Sequence, residues 1–278
     1  MRLPAVLFAV LLFGLAACDS TAPLAECPGG ADCPDTVIDP DTVDFDAVAT
    51  IDFTRYVAPI LNARDVLDAD VSYNALLDEG PSSFIVPFDA DASLMVRLAE
   101  ETLVDGIDNP YPNLTTLQDD EKRYIRRWIE AGAPLRESTP PAYADATRLL
   151  YICNQLAGRV SVVDVDRQRI IRNVYFEELG QPANAKPHHV IADADAWFVA
   201  LISGDGGGSV LRLSTSLTMD PADSDYLLAS ETPPSGDDTF QKPGMLAFDA
   251  ANSRLYAGRS FSADPTSSGI AQDRKSVV

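Results

Sequence analysis

"KPHHVIADADAWFVALI", residues 186–202, and "KPGMLAFDAANSRLYAG", residues 242–258, align at a shift of 56 residues (242 minus 186). Each begins with Lys-Pro, runs into apolar residues, breaks at a polar turn and resumes as an apolar run. This is the pattern of two short antiparallel strands. A second echo links "LAGRVSVVDV" from Leu156 to "GGGSVLRLS" from Gly206. "RLLYICNQLAGRVSVVDVDRQRIIRNVYF", residues 148–176, shows the same alternation of β-rich runs and turn residues. Repeats with several short strands per period predict sheets that bury their faces only by stacking on neighbours. "GDGGG" from Gly204 lies between two such runs. It lacks the Lys-Ser/Thr of a phosphate loop and opens no helix, so it reads as a hairpin turn.

Residues 146–278 supply 133 positions (278 minus 146, plus 1), enough for about three units of ~40–50 residues. The expectation is an all-β array of propeller type, incomplete at about three blades, because closed propellers use ~4–8. The tail "SADPTSSGIAQDRKSVV" is polar where another strand pair would follow, so the chain is expected to be a truncated version of a longer protein. Cys153 lies in an apolar β-like run and reads as a small buried hydrophobe.

Upstream of a Pro-rich linker at residues 137–145, the periodicity changes to helical over 51–136. Phe53, Val57, Ile60 and Leu61 share one helical face, and Leu94, Val96, Leu98 and Leu103 mark a less regular segment. In "TTLQDDEKRYIRRWIEAGAP", Thr115 precedes Gln118 by three, acids crowd the first turn, and Gly132 with Pro134 stop the helix. Tyr124, Ile125, Trp128 and Ile129 form its predicted buried stripe.

The first residues have the layout of an export signal. Met1-Arg2 precedes an apolar run from Leu3 to Leu15, too short for a membrane span of ~20 residues. Residues 18–50, rich in Pro, Gly, Asp and Thr, read as a flexible acidic tether. Within it Asp39, Asp41, Asp44 and Asp46 lack the central Gly and terminal Glu of a calcium loop, so they read as solvated acids. Export permits a disulfide between Cys27 and Cys33; without a nearby His a zinc site would be half built. Forty-two acidic residues against 21 basic give a net charge of −21, which argues against any nucleic acid partner, since phosphate neutralisation needs clustered Lys and Arg.

Three resemblances sharpen these expectations. Leu15-Ala16-Ala17-Cys18 resembles the bacterial lipobox, which implies a signal peptide at residues 1–17, a lipidated Cys18, a lipid-bilayer partner and residence in the cell envelope, facing periplasm or exterior. "YVAPIL" at Tyr56, "VPFDADASLMVRL" at Val86 and "LQDDEKRYIRRWIEAGAP" at Leu117 resemble the small cytochrome c domains of bacterial envelope proteins. Covalent haem needs two thiols for the vinyl groups and a His for iron. Where that family carries them this chain has Asp65, Asp68 and Ala69, and Asn109 begins the loop that would bring an axial Met. Met95 falls at a core Leu position. The resemblance therefore implies the fold without cofactor: no haem c.

"LLYICNQLAGRVSVVDVDRQRII" and "KPHHVIADADAWFVA" resemble the YVTN/lactonase-like propellers, a fold that carries no single activity. His188 and His189, the two histidines of the chain, are candidates for a channel site, but the aligned repeat holds Gly244-Met245, which favours blade packing. The fold expectation is thus multidomain: a small, mainly-α cytochrome c-like domain followed by partial all-β propeller repeats. The functional expectation is a membrane-anchored, non-enzymatic binding or scaffold module for an unknown envelope protein or small ligand. The alternatives are a lactonase-like or dehydrogenase-associated propeller enzyme, or haem-dependent electron transfer.

Overall fold

Asp52 begins the helical part: its carboxylate accepts the Arg55 N–H at 2.8 Å, capping a π-helical turn, Phe53–Val57, that runs into α1 (Ala58–Ala63). The computed structural model describes residues 38–67, 72–102, 109–194, 196–202, 208–216, 243–252 and 254–259. Helices α2 (Tyr73–Asp78), α3 (Leu94–Ala99) and α4 (Asp119–Glu130) complete the α-helices among the described residues, and a short 3-10 turn at Pro112–Thr116 precedes α4. The predicted stripe of α4 is buried, and Phe53, Val57, Ile60 and Leu61 join it in one core. Its aromatic centre packs Phe53 on Trp128 at 5.6 Å between ring centroids and Phe45 on Tyr124 at 5.5 Å.

The start of α4 differs from the expected Thr115–Gln118 box. Gln118 is the N-cap residue, and Glu121 reaches back to accept its N–H at 2.8 Å, while Thr115 Oγ1 donates to Pro112 O inside the 3-10 turn. Glu121 is buried, and the Arg64 guanidinium compensates its charge with contacts of 2.9 and 3.2 Å. The end of α4 follows the sequence signal closely. Gly132 has φ +91°, and a Cβ there would lie 2.5 Å from the Phe88 ring, so both conformation and space require glycine.

Residues 38–50, placed by composition in a flexible tether, are packed instead. Phe45 is fully buried, Asp41 pairs with Arg64 at 2.6 Å, and Asp46 with Arg123 at 2.6 Å. The Pro-rich segment 137–145 is likewise folded down, with Ala142 and Tyr143 buried and the Tyr143 hydroxyl donating to Leu77 O at 2.8 Å. In both segments an aromatic residue overrides a polar composition by filling the core.

Strands β1 (Leu149–Asn154), β2 (Arg159–Asp164) and β3 (Arg169–Tyr175) form the first sheet, in that order and antiparallel. The second sheet is β4 (Lys186–Ala192), β5 (Ala196–Ile202) and β6 (Gly208–Ser214), and the third is the pair β7 (Pro243–Asp249) and β8 (Arg254–Arg259). The two halves of the 56-residue repeat thus become equivalent hairpins, β4–β5 and β7–β8. The sheets stack in chain order. Tyr151 of the first lies on Trp197 of the second at 5.1 Å, and Phe198 of the second on Phe248 of the third at 5.4 Å. The architecture is mixed, with a helical part followed by small antiparallel sheets.

Trp128 is the test of this core: it is fully buried and donates Nε1–H to Pro134 O at 2.8 Å. Trp128→Ala should cost about 3–5 kcal/mol, and Trp128→Phe distinctly less, as measured by urea unfolding monitored by circular dichroism.

Candidate functional site

The outer edge of β3 meets the helical part, and the join is built from polar groups. Arg169 donates to the carbonyls of Glu79, Gly80 and Pro81 at 2.8–3.1 Å and to that of Asp78. These are the last carbonyls of α2 and its following turn, which lack helical partners and attract a cation. Next to it the Ile170 N–H donates to Ser82 O at 3.0 Å, so a loop of the helical part pairs with the sheet edge.

One turn away, Asp89 is held in a folded loop: its Oδ1 accepts the Ala92 N–H at 2.9 Å, and Ser93 Oγ donates to its carbonyl at 2.8 Å. Its Oδ2 accepts from Asn173 Nδ2 at 2.7 Å and from the Tyr175 hydroxyl at 2.9 Å. Asn173 Oδ1 in turn accepts from Ser161 Oγ at 2.6 Å, and Ser161 Oγ accepts from Asn154 Nδ2 at 2.8 Å. Arg159 donates to the Tyr175 hydroxyl at 2.5 Å and lies 3.9 Å from Asp89. A continuous polar chain therefore crosses all three strands of the first sheet and ends on a buried carboxylate.

Chemically this chain is a clamp. The Ser161 hydroxyl is engaged by two side-chain amides, neither of which is a base that could accept its proton on attack. Burial, then the Asp89 charge, push the Tyr175 phenol up to about 12, which keeps it a donor at neutral pH. Arg167 makes a second clamp from Asp164 to Asp145, each at 2.7 Å. Burial alone would raise the Asp164 carboxyl, but the Arg167 guanidinium and the N–H groups of Arg167 and Asp166 outweigh it and hold it below the usual range.

Two grooves border residues of the join, Tyr175 in one and Asp78 in the other. One of about 490 Å³ lies between the β1–β2 turn and the β3–β4 connection and carries Gln155, Tyr175, Glu177, Glu178 and Lys186. The other, about 660 Å³, has Tyr73, Tyr143, Pro140 and Pro141 with Asp78, Asp145 and Arg167. Both Tyr hydroxyls of the second groove are spent on backbone carbonyls, Ala133 and Leu77, each at 2.8 Å.

The candidate residues read from the sequence do not converge on one place. Exposed His188 accepts at Nδ1 from Gln155 Nε2 at 2.7 Å, whereas His189 Nδ1 accepts the Leu246 N–H at 3.1 Å, bridging the second and third sheets. Asp65 is exposed, and its carbonyl accepts from Asn113 Nδ2 at 2.7 Å; Asn109 Oδ1 accepts the Tyr111 N–H at 2.8 Å. Met95 lies in the core with Leu61, Leu76, Phe84 and Leu114, all fully or nearly fully buried. At the positions that the resemblance assigns to haem attachment, Asp65 and Asp68 are carboxylates, which form no thioethers, and Ala69 offers iron no ligand. Cys18, Cys27, Cys33, Asp68, Ala69, Leu103 and the turn at Gly204 lie outside the described residues. Cys153 is partly buried and unpaired, and burial raises its thiol.

The clamp residues Asp89, Arg159, Asn173 and Tyr175 escaped the sequence reading. The available signal was Asn173 inside the run "IIRNVYF": a polar amide in a strand buried along its centre needs a partner. Comparison with protein-family models, with curated proteins and with solved structures finds no match.

Asp89→Ala leaves Asn173 Nδ2 and the Tyr175 hydroxyl without their acceptor, so it should cost about 2 kcal/mol or more. Combined with Asn173→Ala it should show a coupling of about 0.5–3 kcal/mol in a double-mutant cycle read by chemical unfolding. A second expectation concerns alkali. Tyr73, Tyr111, Tyr151 and Tyr175 are each raised from 10.0 to about 12, with burial as the largest cause. Between about pH 10 and 12 the unfolded phenols lose protons that the folded ones keep. The unfolded chain then binds fewer protons, so stability falls as pH rises through that window. Unfolding followed by tyrosinate absorbance should show this loss, and Tyr175→Phe should make it shallower.

Proposed function

We propose that the chain is a membrane-anchored binding or scaffold lipoprotein of the bacterial cell envelope, in which a haem-less cytochrome c-like unit is joined to propeller-type blades. The observation that carries this reading is the join itself. The Asp89 and Arg169 contacts fix the helical part to the first sheet, giving one platform whose residues Tyr175 and Asp78 each border a groove. In a cytochrome c-like unit the loop after α1 serves the cofactor; here the Asp65 carbonyl is tied to Asn113 and the interior is filled by side chains. The retained frame then acts as a structural adaptor between the anchor and the sheets. Stacking of the three sheets in chain order, with equivalent hairpins in the repeat, supports the propeller reading of residues 146–278. The Leu15-Ala16-Ala17-Cys18 motif supports the anchor.

The chain of residues 1–278, expressed with export to the periplasm, should enter the detergent phase and gain the mass of a diacylglyceryl group on Cys18, and Cys18→Ala should abolish both. It should also show no Soret band and no haemochrome signal after expression with the haem-attachment machinery. A wholly soluble, unmodified wild-type chain would refute the anchor, and a stoichiometric haemochrome would refute the adaptor role. A pull-down from membranes with the intact lipoprotein tests the binding role, with loss of the captured protein expected when the platform is disrupted by Asp89→Ala.

A further inference from the structure

The groove of about 660 Å³ is formed by α2, the folded-down Pro-rich segment and Arg167 from the β2–β3 turn. Its volume is that of a small-ligand site, which commonly measures ~300–1,000 Å³. Among its lining residues Leu77, Ala142 and Tyr143 are buried, and Tyr73, Leu135 and Pro141 are half-buried and so present apolar surface to a ligand. The lining is held in place. The Tyr73 and Tyr143 hydroxyls donate to Ala133 O and Leu77 O, each at 2.8 Å, and Pro140 and Pro141 fix the backbone beside them.

The polar groups of the groove select the charge of the ligand. An anion needs donors, and those of the groove are engaged elsewhere. Both phenols donate to carbonyls, Thr139 Oγ1 donates to Arg136 O at 2.7 Å, and Arg167 is held between Asp164 and Asp145 at 2.7 Å each. Asn74, at the exposed edge, adds only a neutral amide. Acceptors, in contrast, are left over. Asp78 is exposed and enters no ion pair among the described residues, and the nearby Arg169 is engaged by the carbonyls of residues 78–81. Asp145 is exposed and shares one guanidinium with Asp164. Counting Asp78, Asp145 and Asp164 against Arg167 and Arg169 leaves one net negative charge (three minus two). Burial is the largest cause that raises the Tyr73 and Tyr143 phenols, with Asp145 adding to the first and Asp78 to the second, so both carboxylates stand within electrostatic reach of the aromatic lining. Carboxylates beside tyrosine rings attract a cation twice over, by charge and by the ring quadrupole.

We propose that this groove binds a small organic ammonium ion, its apolar body against Tyr73, Leu135 and Pro141 and its charge against Asp78 and Asp145. A neutral molecule of the same shape forgoes the attraction of the acids, and an anion is repelled by them. The assignment rests on the binding role proposed above and gives it a ligand class. The two remain separable: a failure of the ammonium ion to bind leaves the pull-down unchanged, and a failed pull-down leaves the ammonium titration unchanged.

The test is isothermal titration of the detergent-solubilised chain of residues 1–278 near neutral pH with three probes of nearly one shape, 2-phenylethylammonium, 2-phenylethanol and phenylacetate. The ammonium should bind with a Kd of about 1 mM or tighter, and the neutral and anionic probes about tenfold more weakly or not at all. Asp78→Asn removes the charge and keeps the shape, and it should weaken ammonium binding about fivefold. Glu101→Gln changes the net charge equally at an exposed position outside both grooves and should leave binding as in wild type. Both variants alter exposed side chains, so their far-ultraviolet circular dichroism should match wild type. Absence of ammonium binding to the wild-type chain would overturn the proposal. So would equal affinity for the neutral or anionic probe, an Asp78→Asn chain that binds like wild type, or a Glu101→Gln chain weakened as much as Asp78→Asn.

Discussion

Asp89 is a carboxylate taken out of water at the boundary between two kinds of secondary structure, and a buried charge is tolerated only where every lone pair is met. Here the donors come from both sides: the Ala92 N–H from its own loop, and Asn173 and Tyr175 from β3. Neither side can satisfy the group alone. The helical part and the first sheet are therefore bound into one body by the cost of separating them, which would strand a charge as well as expose apolar surface. The Arg169 guanidinium repeats the logic with opposite sign, since the carbonyls at the end of α2 are the acceptors it meets.

Stacking works by a different currency of interaction. Between sheets the contacts are aromatic and aliphatic, Tyr151 on Trp197 and Phe198 on Phe248, with His189 supplying one directional bond. Such contacts are set by shape and alternation, so they recur wherever the repeat recurs. The polar join occurs at one boundary and fixes one geometry. The sheet-to-sheet contacts recur at both boundaries between the described sheets.

This difference explains what could be read from the sequence. The repeat at Lys186 and Lys242 was legible because strand alternation has a fixed period, and the buried stripe of α4 because helical spacing does. The α4 cap was misplaced by three residues because Thr115 and Gln118 satisfy the same local pattern that Gln118 and Glu121 fulfil. What decided between them was Arg64, 57 positions from Glu121, and no local pattern carries that information. Residues 38–50 and 137–145 were hidden for a related reason: composition averages over a window, whereas Phe45 and Tyr143 are single side chains whose burial outweighs their polar neighbours. The clamp around Asp89 joins residues 84 and 86 positions apart, and only the odd presence of Asn173 in an apolar strand hinted at it. The histidine pair reads as a site in sequence, yet β4 bulges at His188, which takes no register partner on β5, and the two rings find separate partners.

The clasp of Arg169 on the end of α2 also sets an order of events during synthesis. Its carbonyl partners lie 88 to 91 residues earlier in the chain. Helix α2 has only six residues, too short to persist on its own account. While the helical part emerges, those carbonyls face water, and the loop to their partner closes only after β3 has been made. Closing a loop of that length costs entropy that local contacts do not repay. The end of α2 therefore gains these partners only once β3 has been made, although it is synthesised first.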